Sequence, residues 1–583
     1  MARRWLLAAT AALFALQLPT PASASAPPPG VATIVTASMH PSTVKAGGST
    51  TVFANVSGAF NRKVRLQVSR DGTWQTLLKG RLTKKSSSYA FRLHDLPVGA
   101  YTLRVWVPID PGYAFSQSLE LRVESVLPST NAVTDGAWTG TQIPLPRDAD
   151  VDSKPYVGPT ACTTTGVCIA TANYVTRSGA SATSIDATIG GAWFPTEIPR
   201  MHLEGAACTD VGCVVVGDSS ATAGATTPYA EVLNNGTWTG HELPLPPDGV
   251  PSIWTVLSRV ACQPGGTCIA TGGYYDKNDV QLPLIETLSL GGWAANATAA
   301  PLPDDAGEEP GNREWRGGKG PGLSGGVACP TNGYCVAVGY YHDTAGSYQG
   351  LIETLSDGKW TAARAPLPPI AGNPTPRDSY EDADPIYYGL ACYAAEHCAA
   401  AGTDEVAGGQ GMVLTLDGGS WAAETVYPNQ ALPSVGGLGG VTCSPDGTCL
   451  AGGSAYWSDG SMDGIIDSYG KGAWTVGKVA APSDVSPKAR GVAGLGVVAC
   501  TVVDTCVAAG SYRDVNLNSS GVLATRVLGT WTALKAPVPL GAALNPNTAF
   551  VSASCGLTLC VADGIYTDHL GNVQGLLETF AAG

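Results

Sequence analysis

A chain of 583 residues exceeds what one hydrophobic core usually organises, so several domains or one large repeat array are expected. With 44% hydrophobic residues, 73 Gly and 42 Pro but only 14% charged residues, its composition excludes a disordered chain and suits many short strands joined by tight turns. The net charge of −14 is unevenly placed: residues 30–125 hold 12 Lys+Arg against 5 Asp+Glu, while the acidic remainder would repel nucleic acid.

Residues 1–26 read as a secretory signal peptide. Arg3 and Arg4 precede an apolar run from Trp5 to about Leu18, and small residues with Ala-x-Ala spacing follow at 22–26. No other stretch approaches the ~18 apolar residues a membrane helix needs. A secreted, soluble protein without a membrane span is expected.

Residues 31–125 hold six or seven short segments of period-2 alternation, among them "STTVFANVSG", "KVRLQVSRDGTWQTLLKG" and "AYTLRVWVP". They predict an antiparallel β-sandwich. Its basic excess is suited to anionic wall polymers or lipid, although solvated strand faces are the plainer reading.

From residue 131 onward one pattern repeats. Sixteen cysteines fall as Cys162/Cys168, Cys208/Cys213, Cys262/Cys268, Cys329/Cys335, Cys392/Cys398, Cys443/Cys449, Cys500/Cys506 and Cys555/Cys560. Eight local pairs with none left over predict eight nearest-neighbour disulfides in an exported chain. Each is expected to staple the turn between the first two strands of its repeat, on one rim of the array. Zinc would need pairs that converge, and a thioredoxin-type site needs Cys-x-x-Cys, which is absent. No metal or cofactor is expected.

After each pair comes an apolar strand, then a polar loop, a strand such as "GLIETLS", and a Gly-rich turn leading to a Trp strand. Four strands per ~50 residues predict an all-β, eight-bladed β-propeller over 131–583. The Trp strands centre on Trp138, Trp193, Trp238, Trp293, Trp360, Trp421, Trp474 and Trp531. The first precedes the first cysteine pair and none follows the last. The strand around Trp138 is therefore expected to complete the final blade and remove its open edge.

The run "HDLPVGAYTLRVWVP" resembles the last strands of bacterial immunoglobulin-like domains, which implies a spacer or attachment module over 31–125. The segments "LSDGKW" and "TLDGGSW" resemble shortened Asp-boxes of sialidase-like propellers, with Asp135, Asp357 and Asp417 in the place of the box's Asp. The cysteine doublet followed by "VAVG" or "IATGGY" is similar to Cys-stapled repeats of secreted bacterial proteins. The sialidase likeness implies three arginines around a carboxylate and a Tyr–Glu pair. Arg313, Arg316, Arg377 and Arg513 sit in no such motif, and no Ser-His-Asp signature occurs.

One acidic position recurs in the third strand: Asp186, Glu231, Glu286, Glu353, Asp467 and Glu578, interrupted by Leu414 and Ala524. It reads either as a polar ring for a cation or, more plainly, as a packing rule in which each carboxylate satisfies donors within its own blade. The binding candidates lie in the loops after the second and fourth strands. Tyr275, Tyr341 and Trp457 sit in short loops, and Trp315, Tyr380, Asp382, Tyr387 and Tyr388 in two longer inserts. Aromatic rings beside carboxylates suit a glycan, a peptide or a cell-surface component. The expected function is a monomeric, non-enzymatic binding propeller. The alternative is a carbohydrate-active hydrolase or lyase, in which two carboxylates converge from distant blades.

Overall fold

The computed structural model describes residues 33–581 apart from 125–132, 308–321, 369–384, 405–409, 427–433, 457–461, 487–491 and several stretches of one to four residues. The segment read as a signal peptide lies outside the described residues. Every described element is a strand, and the chain divides into two units, Met1–Val126 and Leu127–Gly583.

The first unit is built from alternating strands. Val35–His40, Ser49–Val56 and Ser88–His94 form one sheet. A second runs in the order Thr43–Lys45, Leu119–Glu124, Gly99–Pro108, Lys63–Arg70, Thr73–Arg81. Val52, Ala54 and Phe91 from one sheet meet Val64, Leu66, Leu103, Val105 and Leu121 from the other in a single core. Period-2 alternation thus becomes two sheets sharing one apolar layer.

The second unit is propeller-like. Its described residues form eight antiparallel sheets of four main strands, in sequence order in seven of them, some with a short added strand. Their first strands are Tyr156–Cys162, Met201–Thr209, Val256–Cys262, Gly322–Thr331, Pro385–Ala394, Ser434–Cys443, Val492–Cys500 and Ala549–Cys555. Each packs against the first strand of the next sheet, and the last packs against the first. The fourth strand of the eighth sheet is Trp138–Gln142, paired antiparallel with Val573–Ala581 through Trp138↔Phe580 and Gly140↔Glu578. Trp138 Nε1 donates to Thr525 Oγ1 of the seventh sheet at 3.0 Å. Trp474 of the sixth sheet does the same to Thr415 of the fifth at 2.7 Å. The closing strand is held as an ordinary fourth strand is.

All sixteen cysteines form the eight neighbouring disulfides Cys162–Cys168, Cys208–Cys213, Cys262–Cys268, Cys329–Cys335, Cys392–Cys398, Cys443–Cys449, Cys500–Cys506 and Cys555–Cys560, and no cysteine is free. Each ties the end of a first strand to the start of the second. In the chain-entropy account a loop this short is worth ~2 kcal/mol. Sixteen paired cysteines fit an oxidising, extracellular setting.

The bridges staple the turn between the first two strands of each sheet, as the spacing predicts, and they are largely buried there. The second-strand half of every bridge is buried: Cys168, Cys213, Cys268, Cys335, Cys398, Cys449, Cys506 and Cys560. The first-strand halves are half-buried, except Cys329, which is buried as well. The cause is the position of the second strand, which has a strand on either side and whose two faces both carry buried residues. Cys168, Cys213, Cys268, Cys335, Cys398, Cys506 and Cys560 accordingly pack within the apolar clusters of the unit. These sulfurs are core atoms that hold the fold, and they present nothing to a ligand.

The turns explain two other motifs. Asp357 and Gly358 have φ of 50° and 75° between the paired Ser356 and Lys359, and Gly418 and Gly419 have 58° and 85° between Asp417 and Ser420. Both are two-residue hairpins with left-handed central residues, which the strand twist favours. Asp357 lies inside its turn whereas Asp417 precedes one, so the two aspartates are not equivalent.

Every first strand shows a register shift against its second strand. Such bulges leave one residue unpaired and bend the strand. Just before each bulge a carbonyl of the first strand presses on the second strand. A Cβ on Gly217 would lie 1.8 Å from His202 O, on Gly272 1.9 Å from Val256 O, and on Gly510 1.6 Å from Gly494 O. These are the glycines of the recurring "VVG", "ATGG" and "AAG" runs. Gly510→Ala should cost about 3 kcal/mol, because the obstacle is backbone and cannot rotate away. Chemical denaturation of the oxidised protein measures it, and a loss below ~0.5 kcal/mol would show that the bulge relaxes.

Candidate functional site

The eight first strands line a central channel whose cavity measures about 610 Å³. What faces it is decided by the bulges. Leu203 pairs with Gly217 and Gly205 with Val216, which leaves Glu204 unpaired. By the same shift Tyr388 is left between Tyr387 and Gly389, and Val551 between Phe550 and Ser552. Glu204, Tyr388 and Val551 all line the channel. A bulge turns a residue that strict alternation would hide or pair into a lining group.

The lining is asymmetric. On the sixth and seventh sheets it is largely backbone, through Gly439, Gly440 and Gly496. A Cβ on Gly439 would meet Gly496 O at 2.3 Å, so close approach of the strands, and not ligand shape, requires glycine there. The first three sheets supply chemistry instead: Tyr156, Glu204 and Arg259. Tyr156 is 58% exposed and also borders a second cavity of about 570 Å³, shared with Asn173, His202 and Asp218. The Tyr156 and His202 rings stack with centroids 6.2 Å apart.

His202 is the electrostatic centre of this corner. Its Nδ1 lies 3.0 Å from Glu204 Oε1 and 3.7 Å from Asp218 Oδ1. The interaction with Asp218 raises the imidazole pKa above its ordinary value, partial burial opposes this, and the Glu204 and Asp218 charges add to the rise. Arg259 donates to the Ser258 carbonyl at 2.8 Å, and burial lowers its pKa while Glu204 counteracts it. An aromatic face, a cation-prone imidazole, an acid and a guanidinium thus gather where Tyr156 borders both the channel and the second cavity. Tyr388, 47% exposed, lines it from the fifth sheet, four sheets away.

The sequence candidates separate sharply. Trp315, Tyr380, Asp382 and Trp457 lie outside the described residues. Tyr388 reaches the channel. Tyr387 is buried in the core shared by the fourth and fifth sheets. Tyr341 is fully buried, and its hydroxyl donates to Asp305 at 2.7 Å. That contact recurs as Tyr174–Asp148 at 2.9 Å and Tyr274–Asp248 at 3.2 Å, so it belongs to the architecture. Tyr275 is half-buried and donates to Gln281 at 3.1 Å across its hairpin. The aspartates of these loops are turn anchors: Asp276, Asp343, Asp514 and Asp568 each accept backbone N–H groups two and four residues on. Arg513 donates to Leu517 O within its own hairpin. Tyr156, His202, Glu204 and Arg259 were missed because no loop or motif marks them.

The repeated acidic position does not form a cation ring. Each side chain is buried in its own sheet, and no group of three metal-ligating residues exists among the described residues. Only two find side-chain donors: Ser184 lies 3.3 Å from Asp186, and Tyr229 3.3 Å from Glu231. Glu286, Glu353, Asp467 and Glu578 have no hydrogen-bond partner on either oxygen. Burial pushes Glu286 and Glu353 up to about 8 and Asp467 up to about 7. These groups are accommodated as neutral acids. Cross-strand packing explains their lengths: Glu faces Gly140, Gly240, Ala297 or Ala362, whereas Asp faces Pro195 or Val476.

No family model and no curated protein matches the chain. Among solved structures, it is similar to the lectin of Aleuria aurantia, described as a six-bladed β-propeller with a novel fucose recognition mode, at 13% identity and a TM-score of 0.30 over 57% of this chain and 96% of that one. The Trypanosoma rangeli sialidase gives 10% identity and a TM-score of 0.31 over 67% of this chain and 56% of that one. The Hadza microbial sialidase Hz136 gives 11% and 0.29 over 70% and 90%. Likenesses this distant carry no argument about ligand or reaction.

Proposed function

We propose that the protein is an exported, non-enzymatic binding protein: a closed eight-bladed β-propeller that takes a glycan, peptide or other cell-surface component at the channel rim. The observation that carries this reading is the asymmetry of the lining. A ring built by repetition concentrates Tyr156, His202, Glu204 and Arg259 in its first three sheets, with Tyr388 opposite. Exposed tyrosines offer stacking faces, and the polar groups between them accept and donate to hydroxyls or amides. The inserts bearing Trp315, Tyr380 and Asp382 lead directly into first strands that line this channel, so their residues belong to the same proposal. In the preceding unit, Thr43–Lys45 pairs in parallel with the last strand Leu119–Glu124, which supports an immunoglobulin-like spacer.

A carbohydrate-active enzyme is the second reading, favoured by Glu204 and Asp218 lying near one another with Arg259 beside them. Both carboxylates, however, converge on one imidazole instead of flanking an open space, as a glycosidase pair must. A glycan array with turnover followed on the same panel tests both. Tyr156→Ala with Tyr388→Ala should weaken the best array ligand about thirtyfold or more without moving the melting temperature, because both side chains are half exposed. Wild-type affinity in the double variant would place the site elsewhere, and turnover lost in Glu204→Gln would favour the enzyme.

A further inference from the structure

The first unit carries a surface that the channel reading does not use. On the outer face of its larger sheet, direct cross-strand partners line up as Lys79, Arg65, Trp106 and Phe115. At ~4.8 Å per strand this row is about 14 Å long. Beside it, Lys63 is paired with Arg81. Like charges directly opposite destabilise a sheet, and here two such pairs stand side by side. Among the described residues no carboxylate is within ion-pair distance of any of these four cations. Glu120, on the same sheet, accepts from the Thr102 hydroxyl at 3.1 Å.

The rings are tied to the cations. The Arg65 guanidinium lies over Trp106 at 4.8 Å, and Arg104 lies over Trp74 at 4.1 Å and Phe115 at 4.8 Å. Arg104 is fixed further by its bond to Gln67 Oε1 at 2.9 Å. Tyr113 and Phe115 are 58% and 52% exposed at the end of the row. Stacking on aromatics orders guanidinium groups and leaves their N–H edges turned to solvent, which is what bidentate capture of an oxyanion requires.

We infer that this face is a second binding site, for an anionic polysaccharide whose repeat carries carboxylate, sulfate or phosphate groups. The guanidinium–aromatic rows take the charged groups, and the exposed rings at the edge take sugar faces. Charge complementarity carries the choice of ligand: an unneutralised cationic strip on a protein whose remainder is acidic. The site is independent of the channel.

The test uses the full oxidised chain with polygalacturonate as probe, and neutral dextran and single-stranded DNA of matched charge as comparisons. Polygalacturonate should bind at low salt and be displaced as ionic strength rises towards 0.5 M, since the contacts are exposed. Lys79→Glu gives two readouts of opposite sign. It should weaken polygalacturonate about tenfold while raising the melting temperature of this unit, because Arg65 gains a partner. A merely structural lysine would not separate them. Trp106→Ala should weaken binding similarly, and Tyr156→Ala in the channel should leave it unchanged. Equal binding of dextran, tighter binding of the DNA, no binding of polygalacturonate, or Lys79→Glu at wild-type affinity would each overturn the proposal.

Discussion

A chain starting at residue 127 should melt at the temperature of the second unit in the intact protein, and one starting at residue 144 should melt far below it. The difference is the strand Trp138–Gln142, the outer strand of the eighth sheet. Trp138 is 1% exposed, packs on Phe580 with ring centroids 5.1 Å apart, and donates to Thr525. Truncating such a side chain alone commonly costs ~3–5 kcal/mol, so Trp138→Ala should be the mildest member of the series. Losing the whole strand also strips the ladder from Val573–Ala581 and opens a sheet edge prone to pairing between molecules. Calorimetry of the three proteins decides it. Should the shorter chain melt with the longer one, the N-terminal strand contributes nothing to closure.

The second large effect is on pH. Glu286 and Glu353 ordinarily lose their protons near 4.5, and burial without partners moves them up to about 8. The folded state therefore holds protons that the unfolded chain has released. Stability is full below about 4.5 and is lost as pH rises through about 8, at roughly 1.4 kcal/mol per pH unit for each group in that window. Asp467, raised to about 7, acts in the same direction. The turn aspartates Asp276, Asp514 and Asp568 act oppositely. Burial disfavours their charge, yet their backbone N–H donors outweigh it and hold them below the usual range. Their contribution is present above the unfolded value near 3.8 and lost as pH falls below it. The melting temperature should peak near pH 5 and decline steadily towards pH 8. Glu353→Gln should change little at pH 5 and gain more than ~1 kcal/mol at pH 8.5, since the amide fills the same volume and cannot ionise. A flat profile, or a variant that loses stability equally at both pH values, would show that an unseen partner compensates the charge.

The sequence by itself determined whatever repeats locally. Cysteines five or six positions apart meet across one hairpin whatever the rest of the chain does, so all eight disulfides follow from spacing. Their depth does not follow from spacing, because Cys168 and Cys560 lose their solvent only when neighbouring sheets pack over them. The offset of the Trp strands placed Trp138 beside the final strand, because a missing strand at one end and a spare one at the other have a single economical solution. The site was not legible, because it depends on groups that neither pattern nor loop length marks. Tyr341 and Tyr387 look like rim aromatics, yet one belongs to a repeated Tyr–Asp contact and the other to a core between sheets. Glu204 and Tyr388 face the channel only because a bulge breaks the alternation that would otherwise assign their direction. Gly217, Gly272 and Gly510 on the second strands carry a trace of the bulges in sequence, but their reason, a carbonyl from the neighbouring strand, exists only once the strands are paired. Likewise the buried acids read as ordinary charged residues until the sheets stack and remove their water. Tertiary structure alone decided which side chains face one another across the channel, since that requires strands hundreds of residues apart to share one axis.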